Sequence, residues 1–232
     1  NGIMNNNKPK LMHIISEYCR PSIAIGAAIV PSVGLCAPSG GAVVSGGIDI
    51  QQDGLTTNIF QSTQSAIINW DSFNIGANET VNFIQPSSTS VALNRVISSN
   101  PTTILGNLNA NGVVILVNPR GILFTKSATL DVAGLVATTL DIGDQDFLNG
   151  QMQFTRQGDF SGQVVNEGQI HTEDGGYVVL AGDYVENTGI VTANLGAVGL
   201  VAGQNLTLDL QGDGLVSFVV SGDAVGDRSE ER

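Results

Sequence analysis

From residue 40 onward the chain alternates short apolar runs with turn-forming residues. The runs include Ala66-Ile-Ile68, Val91-Ala-Leu93, Val113-Val-Ile-Leu-Val117, Val132-Ala-Gly-Leu-Val-Ala137 and Tyr177-Val-Val-Leu-Ala181. Between them lie Gly, Asn, Asp, Ser and Thr. No stretch after residue 40 keeps a helical period across a helix-length window, so almost no helix is expected there. Short strands joined by tight turns are the reading that remains.

A fully apolar run, Val113 to Val117, stops at Asn118-Pro-Arg-Gly121 and resumes as Ile122-Leu-Phe124. Asn, Pro and Gly at the first, second and fourth positions are preferred in a type I turn. Pro119 presets φ, and the Asn118 side chain can bond the backbone two residues on. The spacing predicts two buried strands joined by one stiff, exposed corner. Such a corner is a poor active site and a good recognition tag.

The second half repeats itself. Asn166-Glu-Gly is followed by Asn187-Thr-Gly, and Val179-Leu-Ala-Gly182 by Leu200-Val-Ala-Gly203, both at an offset of 21. A period near 20 with Asn-x-Gly corners predicts a solenoid of β-coils, a parallel β-helix with inward branched residues and stacked Asn amides. The alternative is an antiparallel sandwich, against which two-residue Asn-Gly or Asp-Gly hairpin turns are few. Residues 143–162 break the rhythm. Met152-Gln-Phe-Thr-Arg156 and Gly162-Gln-Val-Val165 flank Gln157-Gly158-Asp159-Phe160, which predicts a hairpin laid outside the solenoid. Residues 40–47 and the strand after them are expected to cap the solenoid's open edge. Trp70, Phe73 and Phe83 are expected to be core or cap residues rather than ligand-binding aromatics.

Residues 4–37 read as an export leader. Lys8, Lys10 and Arg20 precede an uncharged apolar stretch, Pro21 to Ala37, that ends in small residues. Pro21 and Pro31 leave an apolar core shorter than a membrane span needs. Three domains follow: 1–37 signal peptide, 38–225 β-helix and 226–232 frayed tail. The whole chain carries a formal charge of −12, and residues 38–232 hold 6 basic and 20 acidic side chains, hence −14. Nucleic acid is therefore excluded as the main partner. Both cysteines, Cys19 and Cys36, leave with the leader. An exported chain without thiols either avoids a disulfide that would jam a narrow pore or has a β-core that needs none.

Taken in order, Pro38-Ser-Gly-Gly-Ala-Val-Val-Ser-Gly46, Ile68-Asn-Trp-Asp-Ser-Phe-Asn-Ile-Gly76, Glu79-Thr-Val-Asn-Phe83, Gln85-Pro-Ser-Ser88, Val91-Ala-Leu-Asn-Arg95 and Asn118-Pro-Arg-Gly-Ile122 resemble the N-terminal secretion domain of the two-partner secretion family, which includes filamentous haemagglutinins. The resemblance runs from residue 38 to about 220. It implies an all-β, right-handed parallel β-helix with an N-terminal cap. It implies a cognate outer-membrane barrel transporter whose periplasmic, POTRA-type domains recognise the chain, with export to the periplasm by the Sec machinery. It places the transporter-recognition motif on Asn118, Pro119, Arg120, Gly121 and Ile122, where Arg120 stands in place of the family's Asn. The second motif of the family, Asn-Pro-Asn-Leu, is absent. The expected location is the cell surface of a Gram-negative bacterium or its medium. A C-terminal passenger would reach host cells or glycans.

Candidate chemistry is sparse. His13 lies in the leader, and His171, in Ile170-His-Thr-Glu-Asp174, has no nucleophile elbow near it. No Cys/His cluster has metal-ligand spacing, and no cofactor is expected. Glu173/Asp174 and Asp144/Asp146 read as solvated acids at strand ends. Polysaccharide lyases also use β-helices, but they line a groove with basic residues, and Lys126 is the only lysine outside the leader. A lyase-like enzyme and a small free-standing glycan-binding adhesin remain the alternatives to a secretion module.

Overall fold

The computed structural model describes residues 37–209 and the strand at 217–221. The leader, both cysteines, His13 and the charged tail lie outside the described residues. Three sheet faces wind around one axis. The first carries β3 (Thr56–Gln61), β5 (Thr80–Ile84) and the leading halves of β8 (Asn107–Val117), β10 (Thr129–Thr138) and β13 (Gln169–Gly182), ending on β15 (Ile190–Ala193). The second carries β4 (Ser65–Trp70), β6 (Val91–Val96), the trailing halves of β8, β10 and β13, and β16 (Ala197–Ala202). The third carries β7 (Thr102–Ile104), β9 (Ile122–Phe124), β12 (Gln163–Asn166) and β14 (Tyr184–Asn187). All these neighbours pair in parallel. This is the β-solenoid that the short runs and Asn-x-Gly corners predict.

The repeat is real, and its period is not constant. Asn166 faces Asn187, an offset of 21, but Leu180 faces Leu200, an offset of 20. The lost residue comes out of a corner. Residues 173–176 separate the two halves of β13, whereas only 194–196 join β15 to β16. Gly175 takes φ +81° in the longer corner, and Leu195 takes φ +52° in the shorter one. A non-glycine residue rarely adopts that conformation. The amide stacking is also present. Asn82 Nδ2 donates to Asn58 Oδ1 and Asn109 Nδ2 to Asn82 Oδ1, both at 2.9 Å.

At the N-terminal end, β1 (Ala42–Ser45) lies antiparallel on β4, and β2 (Ile48–Asp53) antiparallel on β3. These strands cover the first coil as an antiparallel cap. Trp70, Phe73 and Phe83 sit beneath it, each no more than 2% exposed. Trp70 meets Phe73 edge-on at 5.4 Å, and Phe73 stacks on Phe83 at 6.5 Å. The indole of Trp70 donates to Asn94 Oδ1 at 3.0 Å, which satisfies both buried polar groups.

The excursion at 143–162 departs from its expected form. Its first strand, β11 (Met152–Thr155), pairs antiparallel with β17 (Asn205–Asp209), which in turn pairs with β18 (Ser217–Ser221). The segment expected to be its hairpin partner is β12, a solenoid strand lying parallel between β9 and β14. The predicted hairpin is thus replaced by an outer antiparallel sheet. The reason is burial on both sides of the second face. Val114 and Leu116 point into the solenoid core, while Val113, Ile115 and Val117 point outward into a second core. Outward residues of that face would be wet if nothing covered them. Phe147, on the short helix α1 (Asp144–Leu148), and Met152, Phe154, Leu206 and Leu208 cover them. Burial on both faces is what makes residues 113–117 read as a continuous apolar run.

Arg95 anchors the start of this outer layer. Its Nε reaches Asp141 at 2.8 Å, one terminal nitrogen reaches Asp144 at 2.9 Å, and the other donates to the carbonyl of Ile142 at 2.6 Å. Burial works against the charge on Arg95, but the hydrogen bonds and ion pairs with Asp141 and then Asp144 outweigh it and raise its pKa. Two acids read as solvated from sequence therefore part company. Asp144 is an ion-pair partner, while Asp146 sits in the first turn of α1.

Candidate functional site

The corner at 118–121 is built from the preceding coil outward. The Asn118 carbonyl accepts the N–H of Gly121 at 3.0 Å, which closes the turn. The Asn118 side chain is used completely. Its Oδ1 accepts the N–H of Arg120 at 2.9 Å. Its Nδ2 donates to the Asn100 carbonyl and to Thr102 Oγ1, both at 3.0 Å. Gly121 takes φ +120°, and a Cβ there would come within 3.1 Å of the Gln163 carbonyl. Position 121 therefore favours glycine twice over, by conformation and by space.

This geometry corrects the expectation of an exposed corner. Asn118 and Ile122 are fully buried, and Gly121 is buried as well. Only Pro119 and Arg120 are partly open to solvent. The cause is the demand of the Asn118 amide for partners, which draws it under the coil that carries Asn100 and Thr102. Of the five residues assigned to the motif, three build the corner and two are displayed by it.

Arg120 does not project freely. Its guanidinium lies 3.6 Å over the ring of Phe160, a cation–π contact. Phe160 belongs to the return of the excursion and remains 43% exposed. Arg156 holds that return, with Nε donating to the Phe160 carbonyl at 3.0 Å and lying 3.6 Å from Asp183. Gly162 lets the segment pass close by, because a Cβ there would sit 2.5 Å from the Pro119 carbonyl. Sequence reasoning placed Phe160 only in a turn and did not connect it to residue 120. Nothing local links positions 40 apart. For Asn100 a signal existed, since Asn100-Pro101 repeats the Asn-Pro pair of the corner one coil earlier.

The other candidates stay dispersed. His171 is exposed on the first face, in register between Asp131 and Thr192. Glu173 and Asp174 rim a cleft of about 240 Å³ beside Tyr177, whose phenol burial pushes above its usual pKa. Among the described residues no three His, Cys, Asp or Glu side chains gather as a metal site. None of these residues forms a nucleophile–base pair.

The described residues thus form a capped parallel solenoid with an outer antiparallel layer and a corner built on a buried asparagine. The family model of the TPS secretion domain matches residues 36–226, and the chain belongs to that two-partner secretion family. It is 42% identical over 197 residues to a heme/hemopexin-binding protein of Haemophilus influenzae, covering 81% of this chain and 21% of that protein. A second H. influenzae protein of the same description is 44% identical over 110 residues, covering 47% of this chain and 12% of the relative. The chain thus spans about a fifth or less of these relatives. Among solved structures, the HMW1 secretion domain from H. influenzae superposes with a TM-score of 0.73 at 36% identity, over 80% of this chain and 49% of that one. The filamentous hemagglutinin secretion domain shares the fold, with a TM-score of 0.55 at 19% identity, over 80% of this chain and 68% of the other. The chain is therefore a secretion module of an exported protein, and the lyase-like reading is not favoured.

Proposed function

We propose that this module is captured by a cognate outer-membrane barrel transporter through POTRA-type periplasmic domains, after Sec-dependent export. The captured chain is delivered to the cell surface, where β-coils stack one upon the next. Stacking suits vectorial folding, because each coil contacts only its neighbours and the finished coil is a template for the next. The observation that carries this reading is the 36% identity and 0.73 TM-score to a solved secretion domain over 80% of the chain. Any passenger activity belongs to a longer protein. The similarity to heme/hemopexin-binding relatives falls on the secretion part and assigns heme or hemopexin binding to no residue here.

The test is capture of the purified full chain by the transporter of its own locus, held in detergent micelles. A general porin serves as the control barrel. Saturable capture by the transporter and none by the porin is the expected result. Equal retention on both would remove the proposed partner.

A further inference from the structure

Two Asn-Gly pairs lie among the described residues, Asn111-Gly112 and Asn149-Gly150. In such a pair the backbone nitrogen of glycine can attack the side-chain amide of asparagine, because glycine has no Cβ to crowd the approach. Folding treats the two pairs oppositely. We propose that Asn149 is a site of spontaneous covalent modification, converted by water to aspartate and isoaspartate, and that the fold protects Asn111 from the same reaction. The proposal concerns the folded module and stands independently of the transporter.

Both asparagines are exposed, so exposure does not separate them. Hydrogen bonding does. Oδ1 of Asn111 accepts the Gln85 N–H at 2.7 Å, and its Nδ2 donates to the Gln85 carbonyl at 2.8 Å. The carboxamide is clamped to the backbone of the preceding coil, within β8. Gly112 has no room to turn, since a Cβ there would lie 2.6 Å from Gln85 Oε1 and 2.8 Å from the Ser90 carbonyl. Asn149 has no such clamp. Among the described residues its carboxamide has no hydrogen-bond partner. It caps the C-terminal end of α1, a helix of five residues. Its N–H bonds back to Gln145 at 2.9 Å, and the N–H of Gly150 to Phe147 at 3.0 Å. The second bond holds the attacking nitrogen, so the reaction waits only on opening of the last turn. Short helices are marginal and their ends fray. Asn149 and Gly150 also line a cleft of about 400 Å³, which leaves room for a ring and for water. Once the turn opens, the Gly150 nitrogen loses its proton to hydroxide and bonds to Cγ of Asn149. The Cγ–Nδ2 bond breaks, and that nitrogen takes a proton from water and leaves as ammonia. Water then opens the cyclic imide. Cleavage at Cγ gives aspartate, and cleavage at the backbone carbonyl gives isoaspartate. Either product adds a negative charge, and isoaspartate also inserts a methylene into the main chain. The insertion falls between Phe147 and Met152, which are 1% and 8% exposed and cover the outward side of the second face.

The test incubates the purified full chain in mildly alkaline buffer and maps its peptides by mass spectrometry, with isoaspartate detected by enzymatic methylation. Asn149 should convert at least about tenfold faster than Asn111, because a helix end opens more easily than a stacked coil. In guanidinium chloride both amides lose their surroundings and both precede glycine, so the two rates should agree within about twofold. Asn149→Gln should abolish the fast conversion in the folded chain, since its longer side chain closes the ring far less readily. The converted chain should unfold at a lower urea concentration than the fresh one. Asn149→Asp, which gains the charge without the extra methylene, should shift that midpoint less. Equal rates in the folded chain, faster conversion at Asn111, or an intact Asn149 over the time in which the denatured chain converts would overturn the site. A rate gap that persisted in guanidinium chloride would assign the selectivity to local sequence and overturn the role of the fold. An unchanged midpoint after conversion would overturn the link to the outer layer.

Discussion

Asn118→Ala should cost about 2–3 kcal/mol of stability, because it deprives one buried and two part-buried hydrogen-bonding groups of their partner. The Asn100 carbonyl and Thr102 Oγ1 lose their shared donor, and the Arg120 N–H loses its acceptor. Asn118 is fully buried and Thr102 is 1% exposed, so neither vacancy fills easily with water. Pro119→Ala removes a ring at a partly open position and should cost under about 1 kcal/mol, mainly by loosening the unfolded chain. Equilibrium unfolding in urea, with unchanged slopes, reads both values. The reverse order would mean that the corner is held by the proline ring rather than by the asparagine amide.

Phe154→Ala should cost about 3–5 kcal/mol, the usual range for emptying a buried aromatic site. Phe154 has no exposure and packs in the outer core with Ile115, Val136 and Val179. Its loss should lower the thermal midpoint by about 10 °C for a chain of this size. It should also raise binding of a hydrophobic dye, since the outward side of the second face becomes accessible. A loss below about 1 kcal/mol would show that the outer sheet does not stay on the solenoid. An isolated surface hairpin, the form expected from residues 152–165 alone, would give that small value.

The contrast between these two sites shows what could be read in the chain. The solenoid was legible because its signals are local and repeated. Apolar runs, Asn corners and the 21-residue offset each reflect one coil stacked on the next. The cap was legible because an open solenoid edge must be covered. The outer layer was not. Alternation in Met152-Gln-Phe-Thr155 signals a strand, but it cannot say whether the partner lies ten residues on or at Leu206. The doubly apolar run at 113–117 was the available clue, since a strand facing a single core alternates. The corner was half legible. Asn, Pro and Gly announced a turn, and the amide bond to Arg120 follows from an Asx turn. Its burial did not follow, because the partners of Asn118 lie one coil away, at Asn100 and Thr102. Arg120 looked like an isolated departure from the family's motif. Phe160 gives it a physical setting that no local pattern contains.

The most direct measurement is secretion of the full chain in a Gram-negative host, with and without the transporter of its own locus. The chain should appear in the medium or at the cell surface only when that transporter is present, and remain in the periplasm otherwise. Equal release without the transporter, or continued periplasmic retention in its presence, would contradict the account.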